Sequence, residues 1–304
     1  MISVCLPVYR YDVRPLVEAL LREANALAAG IELLVYDDAS PDDGDWGKDI
    51  LRENTALRYR ELTENLGRAA IRNRLVQDAK NPYVLLLDAD AGLPPRFLAN
   101  YLQKIHAVPL HDQDRLVVVG GRRYAPGPPQ DFRLHLHWWY GTRRESRVDP
   151  TDWQNFHSNN FLASRDLLLA YPFPEDFSGY GHEDTLWGQQ LQRHGLPLLA
   201  VPNPVVHLGL EPAAVFLSKQ QEALANLHRL RNQTLHPEGL RDFRLRTRLT
   251  DFADRYPRLT RLLAHCPEAG LRHYLTHTTR PGLYALDLLK LRWWQQLTSR
   301  EHGT

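Results

Sequence analysis

Residues 83–92 read YVLLLDADAG. A run of five apolar residues with no polar interruption has the form of a strand buried on both faces, as strands of parallel sheets are. It empties into a polar turn carrying two aspartates. Working outward, the same form recurs: apolar runs at 2–6, 33–36, 57–59 and 116–119 also read as short strands. Between them lie helical patterns at 14–28, 48–54, 68–79 and 96–105. In the first of these Leu16, Leu20, Ala24 and Leu27 recur at spacings that put them on one face of a 3.6-residue period. Strands alternating with helices predict βαβ units, hence an α/β fold with a mostly parallel sheet flanked by helices.

From 120 to 160 this alternation breaks. APGPPQ at 125–130 is a loop, and 134–140 is crowded with His and Trp. Order returns over 164–206, with a short helix, a polar-aromatic loop, a helix at 183–194 and a strand at 198–201. After 210 the chain reads as helical and rich in Arg and Leu. The predicted organisation is an α/β domain over 1–210, in halves 1–120 and 121–210, and a helical C-terminal extension over 211–304.

The 304 residues are 43% hydrophobic and 24% charged, a composition that excludes a disordered or fibrous chain. With a net charge of +1, nothing global points to nucleic acid. The charge is unevenly placed: residues 1–218 carry 22 basic and 28 acidic side chains, residues 219–304 carry 15 and 8. Cys5 and Cys266 lie far apart and no CxxC occurs, so neither a disulfide scaffold nor a cysteine metal site is expected. The opening MISVCLPVYR lacks the basic and apolar regions of a signal peptide, and no window approaches the ~18 apolar residues of a membrane span. The expectation is a cytoplasmic protein, with contact at the inner face of the membrane left open.

Ligands of open α/β sheets bind beyond the carboxyl ends of the strands. There the sequence places Pro7-Val8-Tyr9, then Asp37-Asp38-Ala39-Ser40, then Asp88-Ala89-Asp90. In an extended segment, residues two apart point the same way, so Asp88 and Asp90 can face one ligand. A divalent cation shared with a phosphate would offset their repulsion; a solvated turn is the plainer alternative. Asp37 and Asp38 can serve equally as a turn and helix cap. Arg68 and Arg72 lie one turn apart at a helix start, where anions are favoured, or else form a solvated basic face. Glu183 and Asp184 begin a helix behind Gly179 and Gly181; the acids suit capping, or a carboxylate there can act as a general base. His207 ends a proline-flanked extended segment.

Taken together, Pro7 and Tyr9, DDAS at 37–40, ENLGRAAIRN at 64–73, LLLDADAG at 85–92 and FSGYGHEDTLWG at 177–188 resemble family 2 glycosyltransferases of the GT-A fold, in order and spacing over about residues 1–210. The first acidic motif departs slightly, ending in Ala-Ser where Gly-Ser is commoner. The resemblance implies that Asp38 binds the uracil edge of a UDP-sugar in a pocket lined by Pro7 and Tyr9. It implies that Asp88 approaches the ribose or sugar, and that Asp90 binds Mn²⁺ or Mg²⁺ bridging the diphosphate, with His207 as a further ligand. Arg68 or Arg72 would support phosphate or pyrimidine. Asp184 would deprotonate the acceptor hydroxyl, with Glu183 orienting acceptor or donor.

The expected activity is therefore metal-assisted, inverting transfer of a hexose-type sugar from a UDP-sugar to a hydroxyl of a glycan or lipid-linked acceptor, in a setting such as polysaccharide biosynthesis. His157, Asn159 and Asn160 lead towards the acid pair and are candidates to face donor sugar or acceptor. A non-catalytic nucleotide-sugar or glycan-binding module is the alternative, though it would not need Asp184. A nucleotidyltransferase fits less well, because Pro7-Val8-Tyr9-Arg10 is not a glycine-rich basic loop, and no GxGxxG follows a strand to suggest a dehydrogenase. For the C-terminal helices three roles are open: packing on the catalytic domain, an oligomer interface, or peripheral membrane contact. The last would use the stretch 283–297 with Trp293, Trp294, Lys290 and Arg292.

Overall fold

The computed structural model describes residues 1–27, 30–175, 181–232 and 248–301. The chain forms two compact units, one drawn from Met1–Ala125, Glu145–Asp176 and Glu183–Gly209, the other from Pro126–Arg144, Phe177–His182 and Leu210–Thr304.

The first unit is built on a sheet whose leading strands are β1 (Ile2–Val8), β2 (Ile31–Asp37), β3 (Arg58–Glu61) and β4 (Tyr83–Leu87). They lie in the order β3-β2-β1-β4, all parallel. Further along come β5 (Ala91–Gly92), β6 (Val117–Val119), β7 (Arg122–Arg123), β8 (Asn160–Ser164), β9 (Leu199–Ala200) and β10 (Val205–His207). β8 inserts antiparallel between β4 and β6, and β9 closes the far edge parallel to β6, giving seven strands. A second sheet of three short strands runs β5-β10-β7.

Strand β4 is apolar throughout because it has a core on each side. Val84 and Leu86 pack with Ile71 and Leu75 of the helix Arg68–Asp78 and with Trp187. Leu85 and Leu87 face the other way, to Leu16 and Leu20 of helix Arg14–Ala26 and Phe97 and Tyr101 of helix Phe97–Ala107. Pro7, which has no N–H to give, stands beyond the last β1–β4 pair and keeps only β2 as a neighbour, opposite Tyr36. The expected strands and helices of the first 120 residues are present within a few residues. Not expected were the strands β5, β7 and β8, and a helix at His135–Arg143 in the segment where the pattern breaks.

The second unit is helical: His135–Arg143, Ala213–Asn232, Arg248–Arg255, Pro257–Leu263, Glu268–His277 and Leu283–Glu301. The last helix corrects one expectation. Trp293 and Trp294 are buried, Trp293 donating from Nε1 to Glu268 (3.0 Å) and Trp294 packing edge-on to His228. Arg292 donates to the carbonyls of Ala264 and Cys266 (2.9 and 3.0 Å), and Lys290 lies over the Tyr140 ring. These side chains hold the unit together and are not available to a membrane. Among the described residues no helix is long and apolar enough to cross one.

Candidate active site

The loop after β2 is tied to the start of the helix Arg68–Asp78 by one carboxylate. Asp38 accepts the backbone N–H of Leu66 on Oδ1 (2.7 Å) and of Gly67 on Oδ2 (3.0 Å), while Asn65 donates to the Asp38 carbonyl (3.0 Å). Burial is the largest influence on Asp38 and leaves its carboxyl above the ordinary value, although the two backbone hydrogen bonds pull it down. Asp37 caps the same turn by accepting from Ser40 N (2.6 Å). Ala39 sits between them at φ +58°, in the left-handed region that favours glycine, which is where the motif departs from its commoner form. Tyr9 projects from the end of β1 with 49% of its surface exposed and the Arg10 guanidinium 5.8 Å over its ring.

The two arginines of the helix Arg68–Asp78 separate in role. Arg72 is buried; it donates from Nη2 to Asp88 Oδ1 (2.8 Å) and from Nη1 to the Arg68 carbonyl (3.0 Å), and its Nε is buried without a partner. Arg68 is half-exposed and donates from Nε to the buried carboxylate of Glu183 (2.9 Å). Asn73, the last residue of the motif, clasps the backbone of Phe173 in both directions (2.8 and 2.9 Å) and so fixes the strand of chain that precedes the acid pair.

Asp90 meets His207 because the small sheet puts them there. β10 pairs antiparallel with β5, placing His207 opposite Ala91, and its Nδ1 stands 3.1 Å from Asp90 Oδ2. Burial pushes the Asp90 carboxyl up, but His207, with Arg122 and Arg68 further off, holds it below its ordinary value. The carboxylate lies tight against Gly209, where a Cβ would fall 2.1 Å from Oδ2. A 3.1 Å gap between a carboxylate oxygen and an imidazole nitrogen matches adjacent ligands on an octahedron of ~2.1 Å radius, which are ~3.0 Å apart. The pair, which at this distance also forms an ordinary hydrogen bond, could span one edge of a divalent cation's octahedron. Among the described residues no three His, Cys, Asp or Glu side chains converge.

Glu183 and Asp184 open the helix Glu183–Arg193, which is seated by Trp187. That ring is fully buried, stacks on Phe173 at 4.7 Å and packs against Phe156 and Phe161; Gly188 next to it leaves room for Phe156 and the Trp153 carbonyl. The Trp-Gly of the motif is thus packing. Phe177, Ser178, Gly179 and Tyr180 lie outside the described residues. Burial raises the Asp184 carboxyl, but His157 foremost, then Arg68 and Arg72, outweigh it and hold Asp184 well below the ordinary range.

Residues 157–160 tie the two acid groups together. The Asn159 carbonyl accepts from Asp88 N (2.9 Å), Ser158 N points at Asp184 Oδ2 (3.4 Å), and His157 Nδ1 is 3.8 Å from the same oxygen. A cleft of about 570 Å³ opens on this strip, lined by Val119, Arg122, Glu145, Phe156, His157 and Asn159 among others. Asn160 is not a ligand candidate: its amide gives both bonds to the carbonyls of Gly121 and Asn203 and accepts the Tyr101 hydroxyl (2.7 Å). Sequence reasoning missed Asn65, Asn73 and Gly209. The two asparagines lay inside a motif already noted; for Gly209 the only signal was glycine itself, just past His207.

The family model for glycosyl transferase family 2 matches residues 3–171. Among solved structures, the mannosyltransferase PcManGT from Pyrobaculum calidifontis, in complex with GDP-Man and Mn²⁺, is 19% identical over 99% of this chain and 87% of its own, with a TM-score of 0.56. S. aureus TarS 1–349 in complex with UDP-GlcNAc is 18% identical over 100% of this chain and 92% of its own, with a TM-score of 0.49. The mostly parallel sheet, the flanking helices and the helical C-terminal region are those of a GT-A-like glycosyltransferase fold. With more than half its length matched by the family model, the chain belongs to glycosyl transferase family 2.

Proposed function

We propose that the chain transfers a sugar, with inversion, from a UDP-sugar to a hydroxyl of a glycan or lipid-linked acceptor. The observation that carries this is the strip 157–160, which joins the Asp88–Asp90 turn to Asp184 within one unit. Tyr9, Pro7 and the Asp38 turn supply the nucleoside end of the site. Asp90 and His207 would hold Mn²⁺ or Mg²⁺; such an ion supplies positive charge against the diphosphate as it leaves. One imidazole with one carboxylate favours Mn²⁺ over Mg²⁺.

The acceptor enters by the cleft at His157. Its oxygen attacks the anomeric carbon opposite the leaving nucleotide, forming the new C–O bond as the old one to the diphosphate breaks, and Asp184 takes the hydroxyl proton. Glu183, held by Arg68, orients the sugars, and Arg72 fixes Asp88. Calorimetric titration of UDP, GDP, CMP and ADP, each with and without Mn²⁺, tests the reading. Metal-dependent binding of UDP supports it. PcManGT was solved with GDP-Man, so tight GDP binding would keep the mechanism and replace the donor. Binding of none by a folded protein would overturn it in favour of a module without nucleotide chemistry.

A further inference from the structure

We propose that the outward face of residues 255–265, in the helical unit, is a docking surface for an anionic phospholipid bilayer. The helix Pro257–Leu263 is built the wrong way round for a helix that serves only its own core. Thr260 within it and Ala264 at its C-terminal cap are buried, at 2% and 7% exposure, while Leu262 is 69% exposed and Leu259 42%. At 100° per residue, Leu262 points ~160° away from both Thr260 and Ala264. Tyr256, at the entry to the helix, is exposed as well.

Among these outward apolar groups stand Arg255, Arg258 and Arg261, all exposed. Residues 255–267 contain three arginines and no carboxylate. Asp254, just before the patch, is engaged by Arg231 (2.7 Å), and Glu268, just after it, by Arg272 (2.9 Å) and Trp293. Leucine and tyrosine that can enter the headgroup boundary, interleaved with unneutralised guanidinium groups, match an anionic lipid surface in both its apolar and its charged layer. A second copy of this chain would bring the same arginines against themselves. Residues 219–304 as a whole carry the chain's excess of positive charge.

The test is vesicle flotation of the full chain with phosphatidylcholine alone and with phosphatidylcholine containing phosphatidylglycerol. Binding is expected to the anionic vesicles, to weaken as salt is raised, and to be slight on neutral ones. Each arginine near such a surface contributes about fivefold, so the double variant Arg258→Glu, Arg261→Glu should lose at least ~30-fold in partition. A second variant, Leu259→Ser with Leu262→Ser, should also lose binding while keeping the charge. All four side chains are exposed, so thermal melts should match the parent. Equal binding to neutral and anionic vesicles, no flotation, or variants indistinguishable from the parent would overturn the proposal, as would self-association abolished by Leu262→Ser in a protein that does not float.

Discussion

Replacing Gly209 by alanine isolates the geometry of Asp90. The added Cβ falls 2.1 Å from Asp90 Oδ2, 2.9 Å from Cγ and 3.0 Å from Cβ of the same residue, its three nearest neighbours. Ordinary C···O contact is ~3.3 Å, so the carboxylate must retreat by more than ~1 Å. Since all three atoms are too close, the whole side chain has to turn, and in turning it leaves the nitrogen of His207. A displacement of that size costs ~10²-fold in a reacting geometry, and disturbing the support of a metal ligand costs ~10–100-fold in metal affinity. Stability should change little, because a side-chain rotation relieves the clash and alanine restricts the unfolded chain. The assay is Mn²⁺-dependent nucleotide binding by calorimetry, with Gly127→Ala, where a Cβ meets nothing within 4 Å, as the control. The expected result is a ~10–100-fold weaker metal response with a near-parental melt. An unchanged metal response would refute the placement of the cation at Asp90 and His207.

Four further outcomes follow from the site. Asp184→Asn should keep nucleotide affinity while lowering transfer by ~10²–10⁴, measured as single-turnover rates; parental transfer would remove Asp184 as the base. Arg72→Met, which strands the partly buried Asp88 carboxylate, should destabilise the fold by ~2–4 kcal/mol in urea unfolding, and Arg68→Ala, which strands the buried Glu183 carboxylate, should destabilise it by ~1–3 kcal/mol; a cost near zero for either would contradict its pairing. Asp184 is held below its ordinary value, so its folded-state pairing stabilises the protein above about pH 4 and is lost as pH falls further, and kcat/KM should show no acid limb from it between pH 5 and 9. His157→Asn removes the chief lowering influence, so the limb should move to higher pH; a limb that stays put would show that His157 does not act on Asp184.

What the sequence disclosed depended on whether the cause was local. Strand β4 was legible because burial on both faces writes itself as five apolar residues in a row. β8 is equally buried, yet it begins at Asn160, whose polar atoms are satisfied by Tyr101, Gly121 and Asn203, all distant in sequence. β5, β7 and β10 have two or three residues each, too few to show any period, though they bring His207 to Asp90. The helix His135–Arg143 has buried His135, Leu136, His137, Trp138 and Gly141, with no polar face to reveal its pitch. Spacing put Arg68 and Arg72 on one helix face and could not separate them. Only the packing beneath that face makes one a buried prop and the other a half-exposed partner of Glu183. The departure at Ala39 shows the converse: a local irregularity in the motif corresponds to a real backbone cost, φ +58° on a residue with a Cβ.

Asp184, the base proposed above, is held below the ordinary carboxylate range and at first looks ill-suited to that task, since a lower pKa means a weaker pull on a proton. The chemistry resolves this. An alcohol is a poor acid only until its oxygen begins to bond to an electron-poor carbon; as that bond forms, the oxygen gains positive charge and its proton becomes strongly acidic. A carboxylate kept ionised is then sufficient, and its charge helps to hold the developing cation at the sugar. His157, at 3.8 Å, and the two arginines outweigh burial and favour the ionised form of Asp184. As the proposed base, Asp184 would therefore give up proton affinity in return for staying ionised. That is the appropriate balance when bond formation to the sugar, and not proton removal, leads the step.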